Sequence, residues 1–255
     1  PRLSSAASDV YKRQDLCCEE EMKVRVVYVK GNEDSEAQAN ISLKSWLNHD
    51  WDAELHEGYT PDTLDREKFP YPDMEGGRLE SFLESEPHKH PIKTACLFNN
   101  LQFAQDVLQY NQPMVFAEHD SICLSEYRGW WADDFCFLAM DDALNAGHAL
   151  GKYKWRPPFE MGVTTFPRDY PLQYYRKTIY RGHNMTPGTA AYMLTPAGAR
   201  KLLRAAEKHG LEQSDFIINE RNMKLQYITP SIVKFNKRNL NLSHQYESSS
   251  NSNTG

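Results

Sequence analysis

"TACLFNNLQFAQDVLQYNQPMVFAEHD", Thr94 to Asp120, decides the fold. Ala95, Phe98, Leu101, Ala104 or Gln105, and Leu108 recur in it at helical spacing. Asn111-Gln112-Pro113 breaks that helix, and "MVFA" follows as a buried strand. A helix feeding a core strand is the repeating half of an α/β sheet. Such sheets bind ligands beyond the carboxyl ends of their strands. Glu118, His119 and Asp120 stand at that end.

The same pattern extends in both directions. "VRVVYV" (Val24 to Val29) reads as a strand closed by a Gly31-Asn32 turn. From Ser35 to Asn48, the residues Ala39, Leu43, Trp46 and Leu47 fall on one helical face. "AELHEGYTP" reads as a short strand and turn. Residues Pro61 to Pro91 are rich in Pro, Asp, Glu and Gly and predict a long surface excursion. The aromatic stretch from Tyr127 to Tyr180 predicts short strands such as "FCFLAM" among long loops. "GTAAYML" is a strand, and Thr195 then caps a helix with Pro196 at its first position. Ala199, Leu202, Leu203 and Ala206 form its apolar stripe, His209 lies in its last turn, and Gly210 stops it. "QSDFIINERNM" predicts a short helix and "LQYITPSIV" a late strand.

Strands and helices alternate from Val24 to Val233 without a linker or an internal repeat, which predicts one α/β domain over residues 22–244. The first 21 residues have no sustained period and resemble a translated adaptor or assembly scar. They read as outside the fold, with Met22 as the start. The polar end, residues 245–255, reads as disordered.

The 255 residues are 40% hydrophobic and 25% charged, the composition of an ordinary globular chain. A net charge of -6 argues against a bulk nucleic-acid binder. Cys17, Cys18, Cys96, Cys123 and Cys136 form neither a disulfide framework nor a zinc spacing, which points to a reducing compartment. No apolar run has the length of a membrane helix, so a cytoplasmic protein is expected, one able to work at the inner membrane face.

Residues i and i+2 of an extended segment point to one side. Glu118 and Asp120 can therefore ligate one hard divalent cation, Mg²⁺ or Mn²⁺, and such an ion can neutralise a diphosphate leaving group. The plainer alternative is an acidic turn that caps a helix or faces solvent.

At this point a resemblance enters. The helix carrying "AC" and then "MVFAEHDSIC" resembles the "GC…SH…ILEDD" segment of glycosyltransferase family 25, the lipopolysaccharide and collagen group. "GTAAYMLTPAGARKLL" (Gly188 to Leu203) resembles the family's "GT-x-AYL-S-x-x-GA-x-KLL", and it is the most specific match. "EQSDFIINE" resembles its "P-V-D" segment, and "ELHEGYTP" its early "A-x-x-G" turn. The four matches keep the family's order. This chain departs in having His119 within the acidic triplet, Asn99-Asn100 in place of Ser-His, and no arginines in "YVKGNEDSEAQAN".

The resemblance implies a GT-A fold, a Rossmann-like mixed sheet flanked by helices that binds a nucleotide sugar. It implies an inverting, metal-assisted transfer of a sugar, such as galactose, from a donor of the UDP-linked kind. The acceptor would be a hydroxyl of a glycan or lipid-linked glycan such as lipopolysaccharide. Glu118 and Asp120 would hold the metal and the diphosphate. Asp215 matches the family's aspartate and would take the acceptor proton, or else serve with Ser214 as a helix N-cap. Tyr28, Trp130 and Trp131 are candidates for the sugar and base pocket, or else core and surface aromatics. His244 in "NLNLSHQY" fits the place of a late metal ligand, or a solvated tail residue. His183 could face the acceptor, and His119 the metal, a phosphate or solvent. Two other readings stand beside the enzyme: a catalytically silent GT-A-like module that binds saccharide or nucleotide, and a metal-dependent phosphoesterase, which would need further ligands near Glu118.

Overall fold

The computed structural model of the chain describes residues 22–158 and 160–236. Its frame is a seven-stranded mixed sheet flanked by helices, an arrangement compatible with a Rossmann-like fold. In chain order the strands are β1 (Lys23–Tyr28), β2 (Asp52–Glu57), β3 (Met114–Glu118), β4 (Ser121–Cys123), β5 (Phe135–Phe137), β6 (Gly162–Thr165), β7 (Ala191–Leu194), β8 (Leu225–Thr229) and β9 (Val233–Phe235). The sheet order is β2-β1-β3-β7-β5-β8-β6, and β4 pairs with β9 in a separate ribbon. β1 is parallel to β2 and β3, β7 runs antiparallel between β3 and β5, β8 is parallel to β5, and β6 is antiparallel to β8. The ends of β1, β2 and β3 and the start of β7 therefore meet at one edge of the sheet.

The helices are α1 (Glu33–Leu47), α2 (Arg78–Ser85), α3 (Lys89–Tyr110), α4 (Met140–Ala143), α5 (Ala149–Lys152), α6 (Pro196–His209) and α7 (Ser214–Ile217). The crossover through α1 moves outward from β1 to β2, and the one through α3 moves back across to β3. Right-handed crossovers in opposite directions place α1 and α3 on opposite faces of the sheet. α1 begins at Asn32, whose side chain accepts from Ser35 N, and Glu33, Asp34 and Glu36 complement the dipole of its first turn. Trp46 is fully buried and meets Trp51 edge-on at 5.1 Å. The expected stripe on α1 is corrected at one end: Leu47 is 49% exposed, and Ser35 and Ser42 take inward positions instead. Ser35 Oγ accepts from Val29 N at 2.9 Å, and Ser42 Oγ meets Ser121 Oγ at 3.1 Å, so both hydroxyls are satisfied inside.

α3 is the long helix of the opening motif. Pro91 stands in its first turn, where no intrahelical N–H is needed. Asn111 ends it in the left-handed conformation at φ 52°. α6 starts as expected: Thr195 caps by accepting from Gly198 N, with Pro196 following.

The expected surface excursion over Pro61 to Pro91 is overturned. It contains a 3-10 turn (Arg66–Lys68), all of α2 and the start of α3, and it buries Phe69, Met74, Leu79 and Phe82. Its apolar residues are too widely spaced to show a period, yet each finds the core. Glu212, fully buried, pins this segment. Its carboxylate accepts from Arg78 N at 2.8 Å, Leu79 N at 3.0 Å, Gln213 N at 2.7 Å and the Tyr174 hydroxyl at 2.6 Å. It thereby supplies the cap that Gly77 cannot. Gly77 has no alternative there, because a Cβ would lie 2.7 Å from Glu212 Oε2 and 2.8 Å from Met74 O.

Glu212→Ala leaves three backbone donors and a phenol unpaired in the interior. A loss of at least ~3 kcal/mol is expected, read as a lowered midpoint in urea denaturation, with Glu212→Gln falling between the mutant and the native chain.

Candidate active site

A cleft of about 860 Å³ opens at the carboxyl edge of β1, β2 and β3. Tyr28, Glu118, His119, Asp120 and Asp215 all line it. The two halves of the acidic set thus come from positions nearly a hundred residues apart in the chain.

β3 delivers Glu118. Val27 of β1 is its register partner, and Glu118 N donates to Ala190 O at 2.7 Å just before β7. That places Thr189 beside the carboxylate, and Thr189 Oγ1 donates to Glu118 Oε1 at 3.0 Å. Asp120 follows in the turn between β3 and β4. Asn236 N donates to its backbone carbonyl at 2.7 Å, so the turn is held from the far end of the chain. Asp120 Oδ1 and His119 Nε2 are buried without a hydrogen-bond partner. Buried polar atoms are ordinarily paired, so these two, in adjacent residues at a cleft, are free to take a ligand or water.

Asp215 arrives from α7, behind Glu212. Its Oδ1 accepts from Gln213 Nε2 at 2.7 Å. Gln213 is the N-cap of α7 and Asp215 lies in the first turn, so the reading of Asp215 as an N-cap is corrected. Ser214 is likewise the first residue of the helix.

Burial raises all three carboxyl groups. Solvent touches each residue, but protein encloses them on their other sides. Glu118 is pushed up to about 7, first by desolvation, then by the charge of Asp120, with the Thr189 hydrogen bond and Lys93 opposing. Asp120 and Asp215 are raised for the same first reason. Desolvation lowers His119, with the charge of Asp120 opposing. Cys96, also in the wall, is pushed up to about 11 by burial and stays a thiol rather than a nucleophile.

A scan against protein-family models finds no match for the chain, and a search of curated proteins finds none. The geometry therefore carries the functional reading.

Several sequence expectations fall elsewhere. Trp130 packs edge-on against Tyr127 and Trp131 is 52% exposed; neither lines the cleft, so their assignment to a sugar or base pocket is corrected. They belong to a surface turn whose aromatic rings cover the Trp51 side of the core. His183 lies outside the cleft too, with Nδ1 3.4 Å from Glu220 Oε1. His244 lies outside the described residues. Among the described residues no group of three or more His, Cys, Asp and Glu is arranged to hold a metal ion. Glu118 and Asp120 remain as a pair. Two carboxylates with open positions suit Mg²⁺ or Mn²⁺, which keep waters and take phosphate oxygens as further ligands. The partnerless Asp120 Oδ1 fits that donor set.

Four further lining residues, Lys93, His148, Asp142 and Asn99, were not among the expected site residues. Lys93 stands on α3 three residues before Cys96 and seven before Asn100, which is the one sign that it shares their face. His148 stacks on Phe235 at 5.1 Å near Asp120, and Asp142 Oδ2 accepts from Phe235 N at 2.5 Å. Asn99, quoted only as a departure, braces the cleft: its Oδ1 accepts from Tyr59 N at 2.6 Å. Gly58 permits that approach, since a Cβ there would lie 3.2 Å from both polar atoms of the Asn99 amide and 2.7 Å from Val27 Cγ1.

The Glu118 shift has a stability consequence. With its folded value near 7 and its unfolded value near 4.5, the folded state holds the proton more tightly. Its contribution is full below the unfolded value and is lost as pH rises through the folded one. In EDTA, the melting temperature should fall between pH values of about 4.5 and 7, and Glu118→Gln should flatten that slope and raise stability at the upper end.

Proposed function

We propose that the protein is a metal-assisted, inverting glycosyltransferase of the GT-A kind, transferring a sugar from a nucleotide donor to a glycan hydroxyl. The observation that carries this reading is the convergence of Glu118, Asp120 and Asp215 on one cleft at the carboxyl edge of a mixed sheet. The partnerless oxygen of Asp120 supports a cation site there. Galactose, a UDP-linked donor, a lipopolysaccharide-type acceptor and a place at the cytoplasmic membrane face belong to the same proposal. No helix among the described residues is long and apolar enough to cross a membrane.

A divalent cation held by Glu118 and Asp120 would supply the positive charge that a departing diphosphate requires. Thr189 fixes the rotamer of Glu118 through its hydrogen bond. Tyr28, at the end of β1, offers a ring to the donor side of the cleft. Asp215 accepts the proton of the acceptor hydroxyl as that oxygen bonds the anomeric carbon and the anomeric carbon–phosphate oxygen bond breaks. Its upward shift makes it a stronger base than a solvated aspartate. Gln213 Nε2 on Oδ1 holds the carboxylate in place for that transfer.

Screening UDP-, GDP- and CMP-sugars with Mn²⁺ should identify one donor that is bound and turned over. EDTA or Asp120→Ala should abolish its release. Asp215→Asn should lower transfer by roughly 10²- to 10⁴-fold while leaving donor binding measurable by calorimetry. Metal-dependent binding with no turnover for any donor and acceptor would assign the chain to the silent-module class.

A further inference from the structure

The cleft is not uniformly acidic. Lys93 stands in its wall, half-buried, and no carboxylate of the described residues forms an ion pair with its ammonium. A lysine held in a partly desolvated wall without a direct ion-pair partner is an uncommon arrangement, since burial of a charge costs most when it is unpaired. Lys201, by contrast, is paired with a buried acid: its Nζ lies 2.5 Å from Asp134 Oδ2.

Its position within the cleft is decided by its neighbours. Lys93, Cys96 and Asn100 line the cleft from α3, and α3 packs against α7, which carries Asp215. The charge of Lys93 acts on Asp215 and Cys96. Lys93 and Asp215 thus belong to the wall built by α3 and α7, and Glu118, His119 and Asp120 to the strand end and turn. The chain explains this division. β3 brings Glu118 up to the sheet edge, α3 starts above that edge, and α7 packs against α3 and brings Asp215 to the same level. A donor diphosphate at Glu118 and Asp120 leaves the wall of α3 and α7 to the acceptor.

We propose that the acceptor carries a carboxylate or phosphate beside its reactive hydroxyl, and that Lys93 binds this anion next to Asp215. This rests on the glycosyltransferase reading for the word acceptor, but the anion site itself does not. Lys93 is here a specificity-determining residue. An ammonium that meets an oxyanion in a partly desolvated wall is worth more than a surface pair. It also favours the ionised form of Asp215, the form that accepts a proton.

The test compares the native chain with Lys93→Met and Lys93→Arg. Methyl glucuronide, galactose 6-phosphate and inorganic phosphate are titrated by calorimetry or NMR without donor, beside methyl glucoside and galactose as neutral counterparts. The expected result is binding of at least one anionic probe, weakened roughly 10- to 100-fold by Lys93→Met and partly restored by Lys93→Arg. The uronate and phosphate arms distinguish a sugar acid from a sugar phosphate. With the donor identified above, kcat/KM for the anionic acceptor should fall by that factor more in Lys93→Met than kcat/KM for its neutral counterpart. Equal losses for both acceptor kinds, a raised donor KM alone, or no Lys93-dependent binding of any anionic probe would each overturn the proposal. Lys93-dependent anion binding without turnover of any nucleotide sugar would uphold the anion site and remove the transferase reading. Turnover that is indifferent to Lys93 would do the reverse.

Discussion

The structure depends on the double pairing of β3. It lies parallel to β1 on one side and antiparallel to β7 on the other, with Val27 opposite Glu118 and Phe116 opposite Tyr192. Side chains alternate along a strand, so a slip of one residue would turn Glu118 away from the cleft and bring Ala117 into its place. The aromatic stack of Phe116, Tyr192 and Phe135 across three strands resists such a slip. Because β7 runs the opposite way, its beginning rather than its end meets the tip of β3, and Thr189 reaches Glu118. An all-parallel neighbour would have left that carboxylate without its hydroxyl.

A second set of bonds supports the far wall. Glu212 ties α2, the Tyr174 segment and the start of α7 into one unit, and Asp215 is displayed from it. The two acidic systems differ in kind. Glu212 has a donor for each oxygen and serves the fold. Glu118, Asp120 and Asp215 crowd a cleft with too few donors, and their carboxyl groups are raised accordingly. Like charges held together in a poorly solvated place oppose folding, an arrangement expected of a functional site rather than of a scaffold.

Strand and helix positions were legible where period and punctuation agree. β1, β3, α3 and α6 stand where the apolar spacing and the caps at Thr195 and Gly210 place them. The Pro61–Pro91 segment was not legible, because Phe69, Met74, Leu79 and Phe82 are buried by contacts with distant elements rather than by a period of their own. Leu47 shows the converse: helical spacing put it on the inner face, yet it is 49% exposed while Trp46 beside it is fully buried. Trp130 and Trp131 show that aromatic content alone does not locate a pocket, since a ring is equally at home over a surface turn.

The sequence by itself determined the α/β alternation and the placing of Glu118 and Asp120 at a strand end, because both follow from local periodicity and local order along the chain. It also singled out Tyr28 and Asp215 as residues to be brought there. Tertiary structure alone decided that they share a cleft, that β7 enters the sheet reversed, and that Lys93, Thr189 and His148 join them. Those facts rest on strand pairing and helix packing between segments far apart in the chain. Nothing in the spacing of neighbouring residues encodes which distant segment will be the partner.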